Sequence, residues 1–142
     1  MRVVADTNTV VSGLLWHGAP RQVLDAAADG KLQLFTTGQL LAELEDVLQR
    51  EKFAQRLLLA KADSHELTVG YAALATVVKP AEIDPIVAAD PDDDDVLACA
   101  ITAIAEAVVS GDSHLLELKT YQQIPIVTAS EMLARMVTGQ ES

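Results

Sequence analysis

The chain is 142 residues long, half of them hydrophobic, with 21 acidic against 10 basic side chains and a formal net charge of −11. That length carries one domain with a real core and is too short for two comfortable ones, while the apolar fraction and a mean hydropathy of +0.23 exclude a disordered chain. A sequence pI near 4.4 argues against a protein that grips nucleic acid through a basic surface, but leaves open an enzyme whose metal ions supply positive charge locally.

Val3-Val4-Ala5 ends abruptly at Asp6, the pattern of a buried strand with an acid at its carboxyl end. Pro20 in a first turn, followed by Val23, Leu24, Ala27 and Ala28, predicts an amphipathic helix that stops at Gly30. Leu32 to Phe35 reads as a second strand, and Thr36 as an N-cap, with Gln39 three residues on, opens a helix through about Leu48. Two more helices are expected over 51–59 and 64–74, the latter with Asp63 as N-cap and Glu66 as its capping-box partner. Val77-Val78 reads as a short strand.

An acidic run, Asp90-Pro91-Asp92-Asp93-Asp94-Asp95, then leads into an apolar helix expected over Val96–Ala107. Ala107-Val108-Val109 reads as a strand, followed by a turn at Ser110-Gly111-Asp112-Ser113. Ile124 to Val127 is expected to be an outer strand, since Pro125 cannot donate to a ladder, and Thr128 with Glu131 forms a capping box for the last helix. Strands alternating with helices predict a three-layer α/β/α arrangement around a central parallel sheet, in a single domain over 1–142.

The single cysteine, Cys99, excludes an internal disulfide and reads as a small core residue in a reducing compartment. No stretch approaches the ~20 apolar residues of a membrane span, and no export signal is visible. A cytoplasmic protein with no membrane partner is the expectation.

In such sheets the ligand crevice lies at the carboxyl ends of the strands, near a switch in strand order. Asp6 and Asp112 both follow strands, Glu43 borders the apolar stripe of its helix, and Asp94 stands in the first turn of the buried helix. Each has an ordinary reading as well: Asp6 caps a turn, Glu43 is a solvated flank, Asp92 to Asp95 complement a helix N-terminus, and Asp112 is a turn residue. Together they are harder to dismiss. Two carboxylates ~4 Å apart repel by roughly 4 kcal/mol at an effective dielectric of 20, so a convergent set calls for a cation. An all-oxygen set suits Mg²⁺ or Mn²⁺, which can activate water against a phosphodiester.

Four stretches in order resemble one family. Val3 to Asn8 is similar to the opening of PIN domains. Asp90 to Ala100 resembles the acid block of one branch of PIN toxins. Ser110 to Leu116 is similar to that branch's next motif, and Ile126 to Leu133 to its closing strand and helix. Glu43 falls in the helix where the family carries its second acid. The resemblance implies a PIN-like, flavodoxin-like fold and a metal-dependent ribonuclease of the VapC-like kind, the toxin of a toxin–antitoxin pair. It implies Asp6, Glu43, Asp94 and Asp112 as the catalytic acids holding Mg²⁺ or Mn²⁺. Asp94 is singled out by its interval to Leu97. Asn8 and Ser110 are implied as polar supports, Asp93 or Asp95 as a neighbour of the pocket, and Asp92 as a helix-mouth capping residue. His114 departs from the branch, which usually has an acid there. It stands as a ligand, a phosphate contact or a weakening of the metal site, and leaves the number of metals open.

The implied partners are RNA, a small antitoxin and a second copy of the chain. Arg2, Arg21, Arg50, Lys52, Arg56 and Lys61 are the cations available to RNA, while Leu57-Leu58-Leu59 and the Ala-rich segment 72–75 are apolar surfaces available for docking. Two other readings stand beside the nuclease: a PIN-like scaffold that binds partners with weak or no catalysis, and a receiver-like phosphoacceptor domain. The second lacks a convincing acceptor Asp on a middle strand, and its lysine counterpart, Lys119, is poorly placed.

Overall fold

The computed structural model describes residues 1–84 and 91–141, and the side chains of all of these except 91, 92 and 138–141. Asp90 and the capping role expected of Asp92 lie outside the described residues. β1 (Arg2–Ala5) carries Val3 and Ala5 to one face and Val4 to the other, all buried. It pairs in parallel on one side with β2 (Gln33–Thr36) and on the other with β4 (Ala107–Val109). β3 (Thr76–Val77) extends the sheet beyond β2, and β6 (Ile124–Val127) beyond β4, both in parallel. The order β3-β2-β1-β4-β6-β5 is completed by the antiparallel β5 (Thr120–Tyr121). Strands buried on both faces are what a helix layer on each side produces.

On one face lie α1 (Thr7–Leu15), α2 (Ala19–Ala28), α5 (Ser64–Leu74) and α8 (Ala129–Glu141), closing over Val3, Leu34, Ala107 and Val109. On the other lie α6 (Pro91–Ala103) and α7 (Ser113–Leu118), covering Val4, Phe35, Val108 and Ile126. α3 (Gly38–Leu48) supplies Leu44, Val47 and Leu48 to the first core and Leu40 to the second. Full burial of each such Leu or Val contributes roughly 1.5–3 kcal/mol before chain entropy is counted. The fold is therefore the expected three-layer α/β/α arrangement.

Several boundaries differ from the sequence expectation, each for a local reason. α1 is a nine-residue helix where only a capped turn was expected. The cap of α3 is Thr37, whose hydroxyl accepts from Leu40 N–H, because Thr36 stays in β2 to pair with Val77 of β3. The 51–59 segment divides into a 3₁₀ turn at Glu51–Phe53 and α4 (Ala54–Ala60). α6 begins at Pro91, a residue suited to a first helical turn. It ends at Ala103 because Ile104 turns into the left-handed region at φ 51, and Ala105 N–H closes back on Ala100 C=O. Ser113, expected as the last residue of a turn, instead opens the short α7, which runs to Leu118.

β6 is not the outermost strand: Gln122 and Gln123, both at positive φ, turn β5 back along it, with Thr120 opposite Pro125. The two expected capping boxes, Asp63 with Glu66 and Thr128 with Glu131, are both formed.

α1 crosses α2 closely at Gly13. A Cβ there would lie 2.7 Å from Leu24 Cδ1 and 2.9 Å from the Pro20 carbonyl oxygen. Gly13→Ala is expected to lower stability by about 1–3 kcal/mol through this overpacking, although helix propensity alone favours Ala by about 1 kcal/mol. Thermal melting decides, and a variant as stable as wild type would remove the steric account.

Cys99 is fully buried in α6, and burial pushes its thiol from 9.0 up to about 12. The unfolded thiol ionises first as the pH rises. Its contribution to stability is complete below the unfolded value near 9.0 and is lost as the pH climbs toward about 12. Urea midpoints at about pH 8 and about pH 11 should therefore fall less for Cys99→Ala than for wild type; equal falls would contradict this.

Candidate metal centre

Strand order reverses at β1: β2 and β3 lie to one side, β4, β6 and β5 to the other. Connections leaving β1 and β4 at their carboxyl ends diverge there, opening the crevice in which such sheets bind ligands. Asp6 directly follows β1 and Ser110 directly follows β4.

Asp6 is buried, with 4% of its surface exposed, and caps α1: its Oδ1 accepts from Thr9 N–H at 2.8 Å. Its Oδ2 accepts from the Ser110 hydroxyl at 2.5 Å. The same Ser110 oxygen accepts the Asp112 N–H at 2.9 Å, so one buried hydroxyl links both acids. Asp112 caps α7, its Oδ1 accepting from His114 N–H at 2.7 Å and Leu115 N–H at 3.3 Å. The capping reading of Asp6 is thus realised, while Asp112, read as a turn residue, is also a helix cap, and each helix start favours the negative charge placed on it.

Asp93, half-buried Asp112 and exposed His114 bring one ligand atom each to within 4.8 Å of one another. No other group of three or more such residues meets that condition among the described residues. Asp94 is not a member, and like Asp95 it is only half-buried. The reason is helical phase. Asp93 precedes Val96, Leu97 and Ala100, all within 2% of full burial, by three, four and seven residues, so it shares their inward stripe. Asp94 lies over Leu97, Ala98 and half-buried Ile101, towards the edge of that stripe. Counting three residues back from Leu97 leads to Asp94, whereas counting four leads to the buried acid.

Glu43 is half-buried on α3, outside the close group, but α3 packs against both α1 and α6. Asn8 is exposed in the first turn of α1. With Ser12, Pro20, Ser110, Asp112, Thr128 and Ser130 it lines a cleft of about 550 Å³ beside the acids. The N-terminal turns of α1, α2 and α8 all border this cleft, whose lining has no Lys or Arg among the described residues.

Arg2 lies at the opposite end of β1, its Nε donating to the Ala103 carbonyl and its guanidinium 4.8 Å above the Phe35 ring. Arg56 stacks over Trp16 and Lys52 over Phe53. These cations therefore serve packing. Tyr71 was missed by sequence reasoning: it is buried on α5, and its hydroxyl has no hydrogen-bond partner among the described residues. Burial pushes its pKa up, with the charges of Cys99 and Asp6 adding to the effect. A lone Tyr at a helix position carried no signal of this.

A family model described as PIN domain matches residues 2–114, which include Asp6, Glu43, Asp93, Asp94, Asp112 and His114. The chain belongs to the PIN-domain family. A search of curated proteins returned no match. PIN domains are in general metal-dependent nucleases, and the donors here fit a divalent ion: two carboxylates and an imidazole converge, with a third carboxylate, Asp6, tied in through Ser110. Carboxylates at the separation of Asp93 and Asp112 repel by roughly 3–4 kcal/mol at an effective dielectric of 20. An ion between them removes that cost.

Ser110→Ala strips a hydrogen bond from the Asp6 carboxylate and the acceptor from Asp112 N–H. It is expected to cost about 1–3 kcal/mol of folding stability. Denaturant unfolding tests this, and an unchanged midpoint would show that the hydroxyl holds nothing in place.

Proposed function

We propose that this PIN domain is an endoribonuclease that hydrolyses RNA phosphodiester bonds with Mg²⁺ or Mn²⁺, and that it acts as the toxin of a toxin–antitoxin pair. The supporting observation is the convergence of Asp93, Asp112 and His114 at the strand-order switch, with Asp6 joined to Asp112 through Ser110 and an open polar cleft alongside. A bound divalent ion there supplies charge neutralisation at the phosphate and a more acidic water.

The chain's own residues do the rest. Asp93 and Asp112 would hold the ion, with Asp6 and Glu43 supporting it directly or through water. A carboxylate of this set takes the proton of the attacking water. Asn8, Thr128 and Ser130 offer hydrogen bonds to phosphate and ribose oxygens in the cleft, and the helix N-termini bordering it favour the phosphate charge. Without lysine or arginine in the lining, substrate affinity rests on these dipoles and on the ion.

Support for a protein partner comes from α4, where Leu58 and Leu59 are 78% and 71% exposed beside an apolar groove that also includes Ala54 and Leu57. Patches of this kind mark interaction surfaces, here for a small antitoxin or a second copy. Among the described residues no helix is long and apolar enough to cross a membrane.

The decisive experiment compares cleavage of single-stranded RNA by wild type, Asp93→Asn and Asp94→Asn, with Mn²⁺ and with chelator. Chelator and Asp93→Asn should each reduce cleavage by about 10²-fold or more, whereas Asp94→Asn should retain most activity. Equal cleavage by wild type and Asp93→Asn would remove Asp93 from the mechanism, and cleavage that survives chelation would remove the metal.

A further inference from the structure

One of the three converging donors is a nitrogen. We infer that His114 is a metal ligand and that it turns the site toward first-row transition ions, Mn²⁺ and Co²⁺, in preference to Mg²⁺. This rests on the metal-centre reading above and specifies which ion the centre takes.

His114 is held where a ligand is needed. It sits in the first turn of α7, and its N–H is fixed to Asp112 Oδ1 at 2.7 Å, so backbone and acid move as one unit and only the ring torsions remain free. The ring Nδ1 stands 3.7 Å from the same carboxylate oxygen, beyond hydrogen-bond reach. Two donors bonded to one ion at roughly 2.1 Å lie about 3.0 Å apart at a right angle and about 4.2 Å apart when opposed. The observed gap falls between these limits. Asp93, buried in the first turn of α6, supplies the third donor, and the exposed imidazole lies on the solvent side of the group.

The chemistry then sets the selectivity. Mg²⁺ is hard, prefers oxygen and keeps its water shell, and it gains little from an imidazole. Mn²⁺ accepts oxygen and nitrogen, and affinity rises from Mn²⁺ to Co²⁺ at a mixed site. Replacing the ring by a carboxylate would restore an all-oxygen set, which suits Mg²⁺ as well as Mn²⁺, and so reduce the discrimination against Mg²⁺.

The test uses the full chain loaded with Mn²⁺ and read by pulsed electron paramagnetic resonance. The wild type should show nitrogen modulation from a bound imidazole, which His114→Ala and His114→Asp both lose. The Mn²⁺-over-Mg²⁺ affinity ratio, from competition titration, should drop by about 10-fold or more in His114→Asp. Tight Mn²⁺ binding without nitrogen modulation, or an unchanged ratio in His114→Asp, would overturn the assignment while leaving an oxygen-bound metal centre intact. Failure of Mn²⁺ to bind wild type at all would overturn both. Nitrogen-coordinated Mn²⁺ in a protein that cleaves no RNA would sustain this inference and sink the nuclease reading instead.

Discussion

The parallel pairing of β1 with β4 is the constraint on which the molecule turns. Val3, Val4 and Ala5 lie opposite Ala107, Val108 and Val109, so residues a hundred positions apart in the chain finish their strands at the same height. Because β2 and β6 lie outward on opposite sides, both chain ends leave the sheet into the same crevice. Asp6 and Ser110 arrive there as a consequence of register. A slip of one residue in this pairing would turn Val4 and Val108 to the wrong helix layer, so the hydrophobic core enforces the position of the acids.

Placing like charges together costs stability, and the chain offsets that cost with backbone amides. Asp6 takes Thr9 N–H, and Asp112 takes the amides of His114 and Leu115. Asp93 occupies the third position of α6, within the turn where unsatisfied N–H groups favour an anion. Asp6 and Asp112 are thus helix caps, and Asp112 is at the same time a member of the close group. Capping and ligation do not compete, since a carboxylate oxygen that accepts one N–H keeps a lone pair for another partner.

Much of this was legible in the sequence, and the reasons for the failures are specific. Strands ending in acids could be read because a short apolar run that stops at Asp6, or shortly before Asp112, is seldom anything but a strand reaching the edge of the core. Capping boxes at Asp63 and Thr128 could be read because both partners lie within four residues of each other. α1 could not: Thr7, Thr9, Val10, Val11 and Gly13 are poor helix formers, and their helix is held by packing on α2. The hairpin at Gln122-Gln123 lacks the Asn or Gly that usually announces positive φ. Asp93 and Asp94 differ by a single helical step, and that phase depends on where α6 begins. Four consecutive acids hide which of them is buried, and in the fold that one is Asp93.

On the proposed function, a formal charge of −11 sets a long-range repulsion against a polyanionic substrate. The described architecture confines the remedy to a few ångströms. Arg2, Lys52 and Arg56 are committed to ring faces or a helix carbonyl, away from the crevice. The cleft instead presents three helix N-termini, whose partial charges act only within about a turn of the helix end. These termini favour negative charge at the cleft itself. Over distances beyond the Debye length of roughly 8 Å, salt screens the surrounding acids. Attraction at the crevice then depends on whether a divalent ion occupies it, because that ion changes the sign of the local field where the helix dipoles alone only soften it. Under the proposed function, substrate binding is thereby linked to loading of the ion at the close group of Asp93, Asp112 and His114.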